Sequence, residues 1–225
     1  MRISKFLILC IATAIFFAGS LSAQRLRLGG GTPFDVFIGV KGGTVVPRQD
    51  MSAMQQPGGG VKVFAEFQLQ EQRVGLGLEL GADYYGSKHL YFTELNTWEN
   101  GQPVRFMYPT KSSVKIPLSI YANYYFVNES IKPYVGAGVG ILNGGYDNAY
   151  LLPDSVLGMP DKQKLHVDYY SGWQFGGLVK VGLAYAWQHK HLFGVEGNYN
   201  YYLKREKMMA YTHYGISLYY AYIFD

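Results

Sequence analysis

The closing segment of the chain, Tyr211–Asp225, alternates strictly between two kinds of side chain. The bulky apolar or aromatic set includes Leu218, Tyr220, Tyr222 and Phe224, and the smaller, more polar set between them includes Gly215. A period of two is the pattern of a β-strand with two unlike faces. The segment is therefore predicted to be a strand that ends the chain, and it sets the pattern to look for elsewhere.

Seven further segments repeat this alternation. The eight predicted strands span about 34–46, 60–71, 73–86, 112–126, 131–143, 170–187, 191–204 and 211–224. Most exceed the usual length of a globular strand, and a tilted strand of this length can cross the hydrocarbon core of a membrane.

The connections between these strands alternate in length. Short polar turns are predicted at Gln70–Arg73, Val127–Lys132 and Gln188–His191. Longer connections span about 47–59, 88–111 and 144–169, and a shorter one spans 205–210. Short turns at one rim and long loops at the other are typical of outer-membrane barrels. Such a barrel would close by pairing Phe34–Val46 with Tyr211–Phe224.

The first residues have the form of a secretory signal peptide. Arg2 and Lys5 precede an apolar run from Phe6 to Ala18, and small residues lead to Ala23. We predict a cleaved signal over 1–23, a periplasmic segment over 24–33 and a barrel domain over 34–225. The single cysteine would leave with the signal, so no disulfide is expected.

Charge and aromatic content limit the partners. The formal net charge of +4 falls to +2 without Arg2 and Lys5, which argues against a nucleic-acid partner. The 21 tyrosines suit a membrane–water interface, where an apolar ring and a polar tip are both satisfied. A sheet in lipid must close into a barrel, because open edges would leave backbone groups without partners.

Glycine indicates which face of the strands points inward. Seven glycines lie on the polar face: Gly75, Gly77, Gly81, Gly136, Gly138, Gly140 and Gly182. A soluble barrel or sandwich, the alternative, would carry solvated side chains there. Glycine makes room inside a narrow barrel instead, where Tyr121, Tyr134 and Tyr219 can fill the space. The polar face is therefore predicted to line the lumen.

This lumen would hold charges of both signs. The predicted network comprises Lys41, Lys62, Glu66, Glu79, Asp83, Lys115, Lys180 and Glu196. Buried charges must pair, and eight strands leave an interior that side chains just fill. We expect a filled lumen with a structural salt-bridge network. A narrow ion or small-solute channel is the alternative.

Catalysis is not expected. His213 and Ser217 share one face of the last strand but lie roughly 13 Å apart, too far for the histidine to activate the serine directly. We predict no catalytic, cofactor-binding or metal-binding residues and no cofactor. A lipid-modifying membrane enzyme is the weaker alternative.

Lipid and protein partners are expected at the outside of the barrel. Aromatic side chains near the strand ends would form interfacial girdles that contact outer-membrane lipid. The barrel-assembly machinery would act during insertion. Loops 89–110 and 144–168 are unusually apolar, and we predict that they bind a protein partner or pack as a cap.

Three stretches resemble the PorT-like outer-membrane β-barrel domain family. They are VKIPLSIYANYYF (114–126), KPYVGAGVGI (132–141) and YYAYIF (219–224), with Pro117 and Gly136, Gly138 and Gly140 matching the family pattern. The resemblance implies an integral outer-membrane barrel of about eight strands. It supplies no catalytic residues. The namesake of the family is associated with a protein secretion and gliding apparatus.

Overall fold

The computed structural model describes residues 34–48, 52, 54–69, 73–99, 102–109, 111–127, 129–153, 163–204 and 210–224. The predicted signal peptide and the predicted periplasmic segment lie outside these residues, so both remain predictions. Side chains are described for these residues except at Phe34 and Leu69 and within 90–109 and 146–168.

Strands account for nearly all of the described chain. They are β1 (Phe34–Arg48), β2 (Gln55–Leu69), β3 (Val74–Ser87), β4 (His89–Glu99), β5 (Gln102–Pro109), β6 (Ser113–Tyr125), β7 (Ile131–Pro153), β8 (Gln163–Trp187), β9 (His191–Tyr202) and β10 (Tyr211–Phe224). No helix within the described residues is long and apolar enough to cross a membrane.

Eight of these strands form a closed antiparallel barrel. Around its circumference they follow chain order, β1-β2-β3-β6-β7-β8-β9-β10, and β10 pairs back onto β1. The closing register runs from Val36 opposite Phe224 to Arg48 opposite Thr212. The predicted eight-stranded, up-and-down barrel and its closing strand pair are thus confirmed.

The two rims of the barrel differ. The β2–β3, β6–β7 and β8–β9 connections are short and lie at one end, together with Phe34 and Phe224, which we call the turn rim. The other connections lie at the opposite end, which we call the loop rim. This asymmetry agrees with the predicted alternation of short turns and long connections.

Two regions predicted as loops are mostly strands. β4 and β5 form a separate two-stranded sheet between β3 and β6. β7 and β8 stay paired out to Pro153 opposite Gln163, although β6 pairs with β7 only as far as Asn143 and β9 pairs with β8 only as far as Gly176. Residues 88–111 and 144–169 thus form long connections between barrel strands, as predicted, but these connections contain strands that were not predicted. Hairpin partners satisfy their backbone groups without the two-faced alternation that marks the barrel strands.

The barrel is apolar outside and polar inside. Many apolar side chains on the outward face are more than half exposed, among them Val61, Phe67, Leu76, Ile120, Val139, Phe175, Val181, Ile216 and Leu218. The inward face buries lysine, glutamate, aspartate, asparagine and glutamine side chains. A solvated barrel has the reverse arrangement. The predicted assignment of the two faces is therefore correct.

Three inward tyrosines pack onto glycines of a neighbouring strand. Tyr121 lies directly across from Gly77, Tyr134 from Gly182 and Tyr219 from Gly194. In each pair the tyrosine ring occupies the space that a Cβ atom on the glycine would need. The expectation that glycine admits these three tyrosines matches the packing, and the cross-strand pairs fill the narrow interior.

Candidate functional site in the barrel lumen

Five charged side chains form a connected layer at mid-depth in the lumen. Glu79 accepts hydrogen bonds from Lys41 at 2.5 Å, from Lys180 at 2.7 Å and from Lys62 at 3.2 Å. Glu196 accepts one from Lys41 at 2.8 Å and lies 3.8 Å from the Lys180 ammonium. All five side chains are almost completely buried. Glu79 is therefore the hub of this ion-pair layer.

Strand register brings like charges together in this layer. Lys41 and Lys62 lie directly opposite each other on β1 and β2, and both point inward. The shared Glu79 carboxylate offsets their repulsion. Lys180 also lies over the ring of Tyr121, with its Nζ 3.3 Å from the ring centroid, so the aromatic face compensates part of its charge. The layer has more ammonium than carboxylate groups, and aromatic contact helps to balance it.

The other three predicted network residues lie in the lumen with different partners. Glu66 accepts hydrogen bonds from the Tyr125 hydroxyl at 2.6 Å and from the Asn123 amide at 2.9 Å. Lys115 donates to the carbonyl oxygen of Gly145 at 3.1 Å and lies over the Tyr211 ring. Neither side chain joins the central layer. The connected layer therefore contains only some of the charged residues that the sequence predicted for the network.

Asp83 is the third of these residues, and it pairs poorly. The His213 Nε2 atom lies 3.8 Å from an Asp83 oxygen, which is too long for a hydrogen bond. Both side chains are fully buried, and their polar atoms have no hydrogen-bond partner among the described residues. A buried polar atom without a partner is costly. Asp83 therefore contributes much less to stability than Glu79 does.

Two apolar layers lie on either side of the central charges. Towards the loop rim, the outer layer consists of Val45, Met54, Tyr85, Leu142, Tyr202 and Tyr211. Towards the turn rim, the inner layer consists of Phe37, Phe64, Tyr125, Tyr134, Ala184, Leu192, Ala221 and Ile223. Met54 comes from the β1–β2 connection, so that connection itself helps to cover the outer end of the lumen.

The space left between these layers is small. Two cavities beside the ion-pair layer, lined by described residues, measure about 10 Å³ each, which is room for about one water molecule. Among the described residues, no group of three or more histidine, cysteine or acidic side chains is placed to hold a metal ion.

The charge prediction missed several lumen residues. His213, Gln68, Asn123 and Lys132 are buried inside the barrel, and Lys132 donates to Gln68 at 3.3 Å. Each sits on the polar face of its strand, so alternation alone could have included them. His213 and Ser217 both face inward, and no hydrogen bond joins them.

The residues predicted for the closing strand divide between its two faces. Leu218, Tyr220, Tyr222 and Phe224 lie on the outward face of β10, opposite Gly42, Val40, Ile38 and Val36 of β1. Gly215 faces inward, where a Cβ atom would collide with the carbonyl oxygen of Thr44. A glycine is therefore needed for β1 and β10 to approach closely at this point.

These features define a membrane-spanning β-barrel with a polar, charged lumen. The chain belongs to the family described as outer membrane protein beta-barrel domain, whose match covers residues 8–224. The protein is accordingly an outer-membrane protein, with the turn rim in the periplasm and the loop rim outside the cell.

Solved structures of outer-membrane proteins are similar to this chain. It is 14% identical to Neisserial surface protein A, with a TM-score of 0.54, and the match covers 87% of this chain and 99% of that one. It is also similar to the N-terminal barrel of Pseudomonas aeruginosa OprF (14% identity, TM-score 0.49, 84% and 97% covered). Ail of Yersinia pestis gives 10% identity, a TM-score of 0.49 and coverage of 86% and 100%. No curated protein sequence matches the chain. At 14% identity, the likeness to Neisserial surface protein A shows the fold alone.

Proposed function

We propose that this protein is a non-enzymatic outer-membrane barrel that binds a protein partner through its loop rim. The barrel anchors the chain in the membrane, and the binding surface consists of residues 89–110 and 144–168. The packing of side chains in the lumen is the observation that carries this proposal. An apolar layer at each end and water-sized cavities between them favour a filled interior over the alternative of a solute channel.

The shape of the loop rim supports a binding role. β7 continues from Asn143 to Pro153 beyond its last pairing with β6, and β8 accompanies it. At about 3.3 Å per residue this hairpin extends roughly 30 Å past the closed barrel. The β4–β5 sheet adds a second ordered structure at the same rim. Long connections with their own secondary structure are usually functional.

Contacts at the rim fix the base from which this surface rises. The Lys115 ammonium donates to the carbonyl oxygen of Gly145, at the start of the β7–β8 extension. Lys88 donates to the carbonyl oxygen of Ser52, and the Gln55 amide donates to the Ser113 hydroxyl. The extensions therefore rise from a fixed base, which suits a preformed binding surface.

The narrower resemblance to PorT-like proteins fits a role beside other envelope proteins. Membership of a secretion assembly is one form of that role. The barrel-assembly machinery would be a transient partner during insertion, and outer-membrane lipid would surround the apolar outward face.

The proposal is tested by extracting the native protein in mild detergent and identifying what co-elutes with it. One variant joins Asn143 directly to Trp173 through an Asn-Gly turn, since these residues are register partners. A second replaces 89–110 with a short turn. The control shortens 205–210, which lies at the same rim outside the proposed surface.

We expect a stable envelope-protein partner that is lost in the first or second variant and retained in the control. Heat-modifiable migration on gels verifies that each variant folds. Elution of the wild-type protein as a lone barrel, or a partner that persists in both variants, would overturn the proposal.

A further inference from the structure

The extension formed by β7 and β8 has two free edges. β6 pairs with β7 only as far as Asn143, and β9 pairs with β8 only as far as Gly176. β7 and β8 stay paired to Pro153 opposite Gln163, and their register does not shift along this length. Among the described strands, β4 and β5 pair only with each other. An unpaired edge presents backbone N–H and C=O groups to which a further strand can bind.

One hydrogen bond shows which β7 residues turn their backbone groups away from β8. The Phe126 amide, just after β6, donates to the Pro133 carbonyl oxygen of β7 at 3.0 Å. In an antiparallel ladder the N–H and C=O of one residue point to the same side, and the side alternates along the strand. The odd-numbered residues of β7 therefore point towards the β6 side. Accordingly, Lys115 of β6 donates to the carbonyl oxygen of Gly145 at 3.1 Å. We call this side of residues 145–153 the β7 edge.

The β7 edge is open beyond Gly145. Three residues there present both backbone groups to the outside, namely Asp147, Ala149 and Leu151. Lysine, proline or a bulge on an edge strand usually prevents another strand from pairing with it. Residues 145–152 contain no lysine and no proline, and Pro153 ends the strand. β8, in contrast, includes Lys164 on its part of the extension. The β7 edge is therefore the better template for a further strand.

A second copy of this chain does not fit the β7 edge. Two copies in one membrane are related by an axis along the membrane normal, so both β7 strands would point away from the cell. The strands of such barrels are tilted by about 35–45°, and the two edges would cross at about twice that angle. Neighbouring strands in a sheet differ in direction by only about 20–25°. The added strand must therefore come from a different protein.

The spacing of the free backbone groups selects an extended chain. The presenting residues of the β7 edge recur roughly every 7 Å, and a partner strand presents its own N–H and C=O groups at the same repeat. We propose that the protein partner binds by adding an extended segment to the β7 edge as a further strand. Main-chain hydrogen bonds then supply affinity. This inference rests on the proposed function, because it names how the loop rim recognises its partner.

The test selects peptides from a random twelve-residue library displayed on phage, using the folded full-length protein in lipid nanodiscs. The same selection is made on the variant that joins Asn143 directly to Trp173 and so lacks the extension. We expect peptides with alternating β-branched or aromatic residues and without proline to be enriched on the wild-type protein only. The absence of any peptide enriched over the shortened variant would overturn the proposal.

A pair of register partners distinguishes the two edges. Ala149 lies opposite Val167, and since Ala149 does not bond to β8, the Val167 N–H points to the free edge of β8. Ala149→Pro removes a donor from the β7 edge and should weaken binding of the enriched peptide about tenfold. Val167→Pro makes the same change on the other edge and should bind like wild type. Equal weakening in the two variants, or weakening only in Val167→Pro, would contradict binding at the β7 edge.

Methylation of the peptide backbone tests the same contact without changing the protein. Methyl groups on alternate nitrogens block one edge of the peptide, so one of the two alternate patterns should abolish binding and the other should not. Equal binding of both methylated peptides would show that side chains alone are recognised and would overturn strand addition. An envelope partner that is lost with the extension but retained in both proline variants would leave the proposed function standing and remove only this inference.

Discussion

At the scale of single residues, the lumen shows how a glycine on a neighbouring strand makes room for a large side chain. Tyr121 fits inward only because Gly77, directly opposite, has no Cβ atom. The same ring then supports the Lys180 ammonium. A small residue on one strand thus controls the packing of a tyrosine and, through it, the environment of a buried charge.

This dependence predicts a contrast between two glycines. Gly77→Ala should destabilise the barrel by about 1–3 kcal/mol, because its methyl group would overlap the Tyr121 ring. Gly42→Ala is the matched control, since a Cβ atom there would lie 3.8 Å from its nearest neighbour, the carbonyl oxygen of Gly60. It should be neutral or slightly stabilising. Urea unfolding in lipid vesicles, followed by tryptophan fluorescence, measures both. Equal losses in the two variants would contradict the proposed dependence.

At the scale of elements, the sequence predicted which segments form the barrel strands more accurately than it predicted where these strands begin and end. The glycines on the polar face correctly indicated which face of each strand points into the barrel, because the inner and outer faces of a closed barrel differ in composition. β4, β5 and the distal parts of β7 and β8 could not be predicted in that way. These segments pair as hairpins beyond the membrane, where neither face is held to one environment and the alternation is lost.

The β8–β9 turn is the tightest of these elements and contains an unfavourable backbone. Gln188 and His189 have φ values of 52° and 56°, and the Lys190 amide donates to the Trp187 carbonyl oxygen at 3.3 Å. Two consecutive positive φ angles are typical of a type I′ hairpin turn, which favours Asn-Gly. The position of this turn could be predicted from the sequence but its backbone strain could not, since neither residue is a usual I′ residue.

Replacing Gln188-His189 with Asn-Gly should therefore stabilise the barrel by about 1–2 kcal/mol. The gain would appear as a higher urea midpoint with an unchanged slope. The same replacement made one residue later, at His189-Lys190, provides the control and should not stabilise. A lower midpoint for Asn-Gly at 188–189 would show that the present side chains make contacts that outweigh the backbone cost.

At the scale of the whole molecule, the barrel surrounds a charged centre that has an apolar cluster on either side. All eight predicted charges lie in this interior, yet register alone would have paired some of them wrongly. Asp83 lies directly opposite Lys115, but the Lys115 ammonium reaches towards the loop rim and donates to Gly145 instead. The depth of each side chain in the barrel and the direction in which it extends decide which charges meet, and one sequence reveals neither.

From the geometry of the central layer we predict how loss of the Glu79 carboxylate affects the stability and the conductance of the barrel. Glu79→Gln should cost about 3–5 kcal/mol, because Lys41, Lys62 and Lys180 would lose a shared buried counter-charge. Asp83→Asn, on the same strand, should cost less than about 1 kcal/mol, since no ammonium forms an ion pair with it among the described residues. Urea unfolding in vesicles compares the two variants with wild type.

Planar-bilayer recording completes this prediction. Wild type and both variants should carry no current, because the apolar layers at the two ends remain in place whichever carboxylate is removed. A steady conductance in the wild type that changes in Glu79→Gln would mean that ions pass through the central layer, and the lumen would then be a narrow channel. If Asp83→Asn instead cost as much stability as Glu79→Gln, the Glu79 hub would not be the main electrostatic support of the barrel.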